Sequence, residues 1–250
     1  MKEIVSVSNE KIQYVRKLVR EKSFRLENNE FVVEGANIIK DLPKNIGIKF
    51  LFVEESKIQT YKDILAKFNE DIIFSVSSKV MNAISDTSTP PGILCVIDIP
   101  NFDFDDKNIV VLDGVSDPGN FGTIIRTCVA CGVKNIIAIN CVDYTSPKVV
   151  RSSMGGVFKV VVKNVNYEKA LQLLEGYNVL SLDMSGKSIY DMEKTDSKIA
   201  LVVGSEAHGV SKIMLDRCDN LISLPMIGDI ESLNAAISLS VALYHLTFAL

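Results

Sequence analysis

The stretch Leu224-Pro-Met-Ile-Gly-Asp-Ile-Glu-Ser-Leu-Asn-Ala-Ala-Ile-Ser238 decides how the chain is read. Pro225 closes a short apolar run, 221–224, and a Gly-Asp turn follows at Gly228 and Asp229. Ser232 and Asn234 then open an apolar run that continues to Leu250. Pro and Gly punctuate loops, and Ser and Asn cap helices by accepting backbone N–H bonds. The stretch therefore predicts strand end, loop and helix start, the place where open α/β sheets hold their ligands.

Strands alternate with helices on the amino-terminal side of this stretch. Residues 108–112, 136–139, 158–162, 179–182 and 199–203 are β-branched or apolar runs of strand length, with helical patterns at 167–174 and 211–217. The alternation predicts a mostly parallel sheet. Before it, 31–35, 49–53, 72–74 and 93–97 read as strands. Residues 8–21, 61–68 and 77–84 read as helices, with another beginning at Ala36. The acidic, turn-rich segment 98–107 is the natural linker. Three parts are thus expected: a small α/β domain at 1–97, a linker at 98–107 and a larger α/β domain at 108–250. There is no internal repeat.

Charge is divided between the parts. The net charge is −4, but residues 1–97 carry +1 and residues 98–250 carry −5. The basic end, with Lys2, Lys11, Arg16, Lys17, Arg20, Lys22 and Arg25, is either a phosphate-binding face or a solvated helix face. Five cysteines, an odd number, with no leader-like segment in view, point to a reducing compartment without a disulfide framework. Cys128 and Cys131 fall three apart on a helical pattern and read as packed core thiols rather than a metal or redox pair. The apolar run 233–250 is interrupted by Asn234, Ser238, Ser240 and His245, which favours a buried or interface helix over a membrane span.

Two further loops follow strands. The first is Asp117-Pro-Gly-Asn-Phe-Gly-Thr-Ile-Ile-Arg126. Its glycines suit close backbone approach to a ligand but lack the spacing of a dinucleotide fingerprint, and Arg126 there is a surface ion-pair partner or a phosphate ligand. The second is Gly204-Ser-Glu-Ala-His-Gly209, where Glu206 is a helix cap or a functional carboxylate, and His208 an ordinary turn residue. Between them Lys148-Val-Val-Arg-Ser-Ser-Met-Gly-Gly156 reads as an anion-friendly turn around Arg151.

Taken in order, 117–126, 204–209 and 224–234 resemble the three motifs of the SpoU family of RNA ribose 2′-O-methyltransferases, which belongs to the SPOUT superfamily. Arg151-Ser-Ser-Met-Gly155 resembles the family's intermediate signature. The likeness covers 108–250 and extends more loosely over 1–97 through Phe31-Val-Val-Glu-Gly35, which is similar to the RNA-binding domain many members carry in front. It implies a fold with a carboxyl-terminal trefoil knot, an S-adenosylmethionine cofactor, a homodimer, a cytoplasmic location, and no metal or membrane partner. The expected substrate is large-subunit ribosomal RNA, with transfer RNA second. The competing class is a non-catalytic RNA-binding or ribosome-assembly protein of the same fold. By motif position, Gly204, Leu224, Met226 and Leu233 would contact the cofactor, and Asn120, Arg126, Glu206, Ser232 and Asn234 would form the catalytic cluster. Arg16, Lys17, Arg20, Arg25 and Arg151 are the expected RNA contacts. A guanidinium is a poor base, so Arg126 is expected to bind phosphate and stabilise an alkoxide rather than take a proton.

Overall fold

A computed structural model describes residues 1–193, 195, 197–230 and 232–249. Two positions quoted above, Glu231 of the third motif and Leu250 at the end of the apolar run, lie outside the described residues. The chain forms two compact units, one made of Met1–Asn101 with Thr145–Phe158, the other of Phe102–Tyr144 with Lys159–Leu250.

The first unit begins with β1 (Lys2–Ile4), α1 (Glu10–Arg20), α2 (Lys22–Asn28) and β2 (Glu30–Glu34). It continues with α3 (Ala36–Ile39), β3 (Ile48–Glu54), α4 (Lys62–Leu65), β4 (Ile73–Val76), α5 (Ser78–Ile84) and β5 (Ile93–Asp98). Helix α1 starts where the Asn9 side chain accepts from Lys11 N at 2.9 Å. Its apolar spacing buries Ile12, Val15 and Leu18 completely, each contributing about 1.5–3 kcal/mol. Its last carbonyls are capped by Arg25, which donates to Leu18 O at 2.7 Å and to Val19 O at 3.3 Å.

The five strands pair in the order β1-β4-β3-β5-β2. β1, β4 and β3 run parallel, and β5 is antiparallel to both β3 and β2. Alternation sends Phe52, Phe74 and Val96 to one face, where they pack with α1 and α5 around Val15, Leu18, Val80 and Met81.

The second unit opens with β6 (Ile109–Asp113), α6 (Pro118–Ala130) and β7 (Asn135–Ile139), after which α7 (Pro147–Ser152) belongs to the first unit. It resumes with β8 (Val161–Asn164), α8 (Tyr167–Leu173), β9 (Asn178–Ser188) and β10 (Ile199–Gly204). It ends with α9 (Lys212–Arg217), β11 (Asn220–Ser223) and α10 (Ala235–Phe248). The six strands, in the order β11-β9-β10-β6-β7-β8, are all parallel, as the alternating sequence predicted. β6, β7 and β10 are buried along their whole length, the mark of a parallel sheet covered on both faces. Residues of α8 and α9 join Ile109, Val111, Ile137 and Val202 in one core, while α10 packs on α6 and β10.

Two local readings are corrected. Residues 148–156 are not simply a turn, because Pro147 starts α7 and Gly155, at φ +82°, then redirects the chain. The strand expected at 158–162 begins instead at Val161. Phe158 lies in a short 3-10 turn, and its ring stacks on Phe31 of β2 at 6.2 Å within the first unit. Cys128 is fully buried and Cys131 nearly so, and burial pushes both thiols up.

β9 is unusually long, and its pairing with β11 jumps from Ser181–Leu221 to Lys187–Ile222. The residues between make an excursion from the ladder. At its far side a Cβ on Gly186 would sit 2.5 Å from Ile222 N, so only glycine lets the strands meet there.

Candidate active site

The site gathers at the carboxyl ends of β6, β9, β10 and β11. Asp117 caps α6 by accepting from Asn120 N at 2.8 Å, with Pro118 in the first turn, which fixes Asn120 at the loop–helix junction. The loop after β10 closes on itself, with Ser205 N donating to Gly209 O at 2.9 Å and Gly209 N to Ser205 O at 3.0 Å. Gly204 has no room for a side chain, since its Cβ would lie 2.0 Å from the Gly209 carbonyl carbon. The tight turn presents Glu206 toward α6.

Here the three loops are tied by one chain of hydrogen bonds. Asn120 Nδ2 donates to Glu206 Oε1 at 2.7 Å, and Asn234 Nδ2 donates to Asn120 Oδ1 at 3.0 Å. Asn234 Oδ1 accepts from Ala236 N at 2.9 Å and from Ile237 N at 3.3 Å, capping α10. Ser116 approaches the other carboxylate oxygen through its N–H and hydroxyl, at 3.4 and 3.3 Å. A carboxylate only accepts, so Glu206 sets the direction of the whole chain: both amide side chains are oriented by it. Burial pushes the Glu206 carboxyl up, but the hydrogen bonds from Asn120 and from backbone N–H groups outweigh it and hold it below the usual range. Glu206 therefore stays ionised through neutral and mildly acidic pH.

Beside this cluster lies a cleft of about 530 Å³ lined by Gly204, Leu224, Met226, Ser232 and Leu233 among others, with Glu206 and Asn234 on its wall. All four expected cofactor contacts line it. Its volume is that of small-molecule sites. Apolar side chains (Val203, Ile222, Leu224, Leu233) and loop backbone face a space that also holds two carboxylates, Glu206 and Asp183. That donor set suits an apolar heterocycle carrying a cationic chain. S-adenosylmethionine fits it.

Of the expected cluster, Asn120, Glu206 and Asn234 meet directly. Ser232 reaches the cleft without bonding to them. Arg126 is exposed on α6, and among the described residues no ion pair or hydrogen bond holds its guanidinium. Its neighbour Thr127 shares a hydrogen bond of 2.7 Å with Ser240 of α10. Three contributors had no motif to mark them. Ser116 touches Glu206. Asp183 enters the cleft from the β9 excursion and accepts from Ser185 N and Oγ at 2.8 and 2.6 Å. Asp113 is buried at the end of β6, where it accepts from Tyr167 Oη at 2.9 Å and Ser211 N at 2.7 Å and so anchors the exit of the Glu206 loop.

The expected RNA contacts lie in the first unit and divide in the same way. Lys17 and Arg20 are exposed on α1 and Arg16 is half-buried. Arg25 is only 4% exposed and its guanidinium is committed to α1 carbonyls and to Thr145 Oγ1 at 3.2 Å, so it is a structural residue and not a phosphate contact. Arg151 pairs with Asp86 at 2.8 Å and with the buried Glu34 at 3.7 Å.

Residues 107–244 match the SpoU rRNA methylase family, and residues 9–95 match the MRM3-like substrate binding domain. The chain is 30% identical to the 23S rRNA (guanosine(2553)-2′-O)-methyltransferase RlmP of Bacillus subtilis (strain 168), over 98% of this chain and 99% of that protein. Among solved structures it is similar to an AdoMet-bound rRNA methyltransferase from Sinorhizobium meliloti, with a TM-score of 0.84, 26% identity, and 98% and 97% of the two chains covered. The SpoU methyltransferase AviRb from Streptomyces viridochromogenes, solved with AdoMet, shares the fold at 24% identity and a TM-score of 0.83, over 96% and 97% of the two chains. With the family's catalytic match over more than half its length, and a relative aligned from end to end, this chain belongs to the SpoU rRNA methylase family.

Proposed function

We propose that the protein is an S-adenosylmethionine-dependent RNA ribose 2′-O-methyltransferase acting on large-subunit ribosomal RNA in the cytoplasm. The observation that carries this reading is the Glu206–Asn120–Asn234 chain, which brings three sequence-remote loops to the wall of a cleft suited to the cofactor. The end-to-end relative that methylates 23S rRNA supports the choice of substrate.

S-adenosylmethionine supplies an electrophilic methyl group. The protein supplies position and charge. Gly204, Leu224, Met226 and Leu233 hold the cofactor, and Ser232 and Asn234 face the side where the ribose enters. Arg126 binds the phosphate of the target nucleotide and stabilises charge developing on the 2′-oxygen. Glu206 and Asn120 act as positioning residues, with the ionised carboxylate fixing Asn120 and through it the α10 entrance. Lys17 and Arg20 contact phosphates, and affinity falls with salt.

The first and second units correspond to a substrate-binding and a catalytic domain. The register jump where β11 pairs with β9 supports a carboxyl-terminal trefoil knot, as the family resemblance implies. A homodimer is supported by Ile237, Val241, Tyr244 and Phe248, which expose an apolar stripe along α10. Val241→Glu with Tyr244→Glu is expected to halve the mass in sedimentation; an unchanged mass would remove this stripe from the interface.

The function itself is tested by calorimetry with S-adenosylmethionine, followed by transfer of labelled methyl groups to large-subunit RNA from cells lacking the protein. Saturable binding and label retained at an alkali-resistant dinucleotide are expected. Cofactor binding without RNA labelling would favour a non-catalytic role and defeat the proposal.

A further inference from the structure

The first unit holds a group of side chains that the catalytic reading does not use. β3 pairs with β5 through a bulge: Ile48 faces Ile97 and Phe50 faces Val96, leaving Lys49 as the extra residue. In a regular strand Lys49 and Phe50 would point to opposite faces. The bulge turns Lys49 onto the face of Phe50, where its Nζ donates to Glu30 Oε1 at 2.7 Å and to Tyr14 Oη at 3.0 Å. Tyr14 Oη in turn donates to Glu30 Oε2 at 2.7 Å. Tyr14 is thus pinned from α1 against β3.

Three half-buried rings meet there. Tyr14 lies 5.1 Å from Phe24 and 6.4 Å from Phe50, both edge-on. Three ammonium groups stand over them, Lys49 at 4.4 Å from Tyr14, Lys11 at 5.4 Å from Phe50 and Lys17 at 5.4 Å from Phe24. Glu30 is used up by Lys49 and Tyr14, whereas among the described residues Lys11 and Lys17 enter no ion pair. Protein interfaces deplete lysine at their centre. Surfaces that bind single strands combine aromatic faces for bases with cations for phosphates.

We propose that Tyr14, Phe24 and Phe50 form a stacking site for unpaired RNA bases, with Lys11 and Lys17 on the adjoining phosphates. The site rests on the reading of RNA as substrate and makes that reading specific. It takes an unpaired segment, not a duplex. Lys11 and Lys17 are on flexible stems and swing from the rings to the phosphates as bases arrive, while Lys49 stays on Glu30 and keeps Tyr14 in place.

The test uses the full-length protein and fluorescent RNA of about 12 nucleotides, single-stranded or as a blunt duplex. Phe24→Leu with Phe50→Leu is expected to weaken single-strand binding about tenfold and duplex binding by less than about twofold. Lys17→Gln is expected to lower the salt slope by about one. Cofactor affinity by calorimetry should not move in either variant, and the thermal melt followed by circular dichroism should keep the wild-type transition, which reports that the first unit is folded. Independently of any variant, 4-thiouridine in the single strand should crosslink to peptides carrying Tyr14, Phe24 or Phe50. Equal losses for strand and duplex, undiminished RNA binding that would leave the patch for a protein partner, or crosslinks confined elsewhere would overturn the site. If the wild-type chain binds cofactor but no RNA, the functional reading itself fails.

Discussion

Replacing Arg126 with alanine is expected to lower methyl transfer by about 100- to 1,000-fold, the range for losing one donor aimed at developing charge. Affinity for S-adenosylmethionine should stay within about twofold, because Arg126 does not line the cleft. The side chain is exposed on α6 and no partner among the described residues holds it, so removing it breaks no fold contact and the melting temperature should not move. Arg126→Lys keeps the charge but loses the planar fork, and an intermediate rate is expected. Single-turnover methylation alongside calorimetry makes the separation. An alanine variant as fast as the wild type would strip Arg126 of its role.

The second large effect is at Asn234, where two functions share one side chain. Its Oδ1 caps α10, and its Nδ2 reaches Asn120. Asn234→Ala removes both. The cap loss should cost about 1 kcal/mol and lower the melting temperature by about 2–4 °C, and the rate should fall about 100-fold as Asn120 loses its second restraint. Asn234→Asp separates the two. A carboxylate caps as well as an amide, so stability should return, yet it cannot donate to Asn120 Oδ1, so the rate should not. If aspartate restores both, the link to Asn120 is incidental.

How far the sequence carried each conclusion follows from the range of the interactions involved. Local punctuation sufficed for the α/β alternation: Asn9, Asp117, Ser211 and Asn234 all cap helices where capping residues precede apolar periodicity. The parallel second sheet followed from strands that alternate with helices. The motif loops converge as their resemblance implied, but the direction of the Glu206–Asn120–Asn234 chain required coordinates. Other features depend on distant partners. Arg25 is one basic residue among seven near the amino end, and nothing local distinguishes the one that turns inward to cap α1. The bulge at Lys49 breaks an alternation that sequence reading must assume. Asp183 reaches the cleft only because β9 leaves its ladder for a few residues. Phe158 is a β-former in an apolar run, so propensity placed it in a strand, whereas stacking on Phe31 holds it outside one.

The first unit is interrupted in sequence: Thr145–Phe158 completes a body whose other residues end at Asn101. Pro147, Val149, Val150, Val157 and Phe158 are buried there, so β2 lacks part of its cover until they arrive. During synthesis the first hundred residues would leave the ribosome with that surface still bare, and completion would lag by several seconds at ordinary elongation rates. The amino-terminal unit can therefore close one face early, around α1 and α5, but its other face only once 145–158 are made. Its maturation is timed by the middle of the chain, and a protein truncated before Thr145 would be prone to chaperone capture rather than a smaller working module.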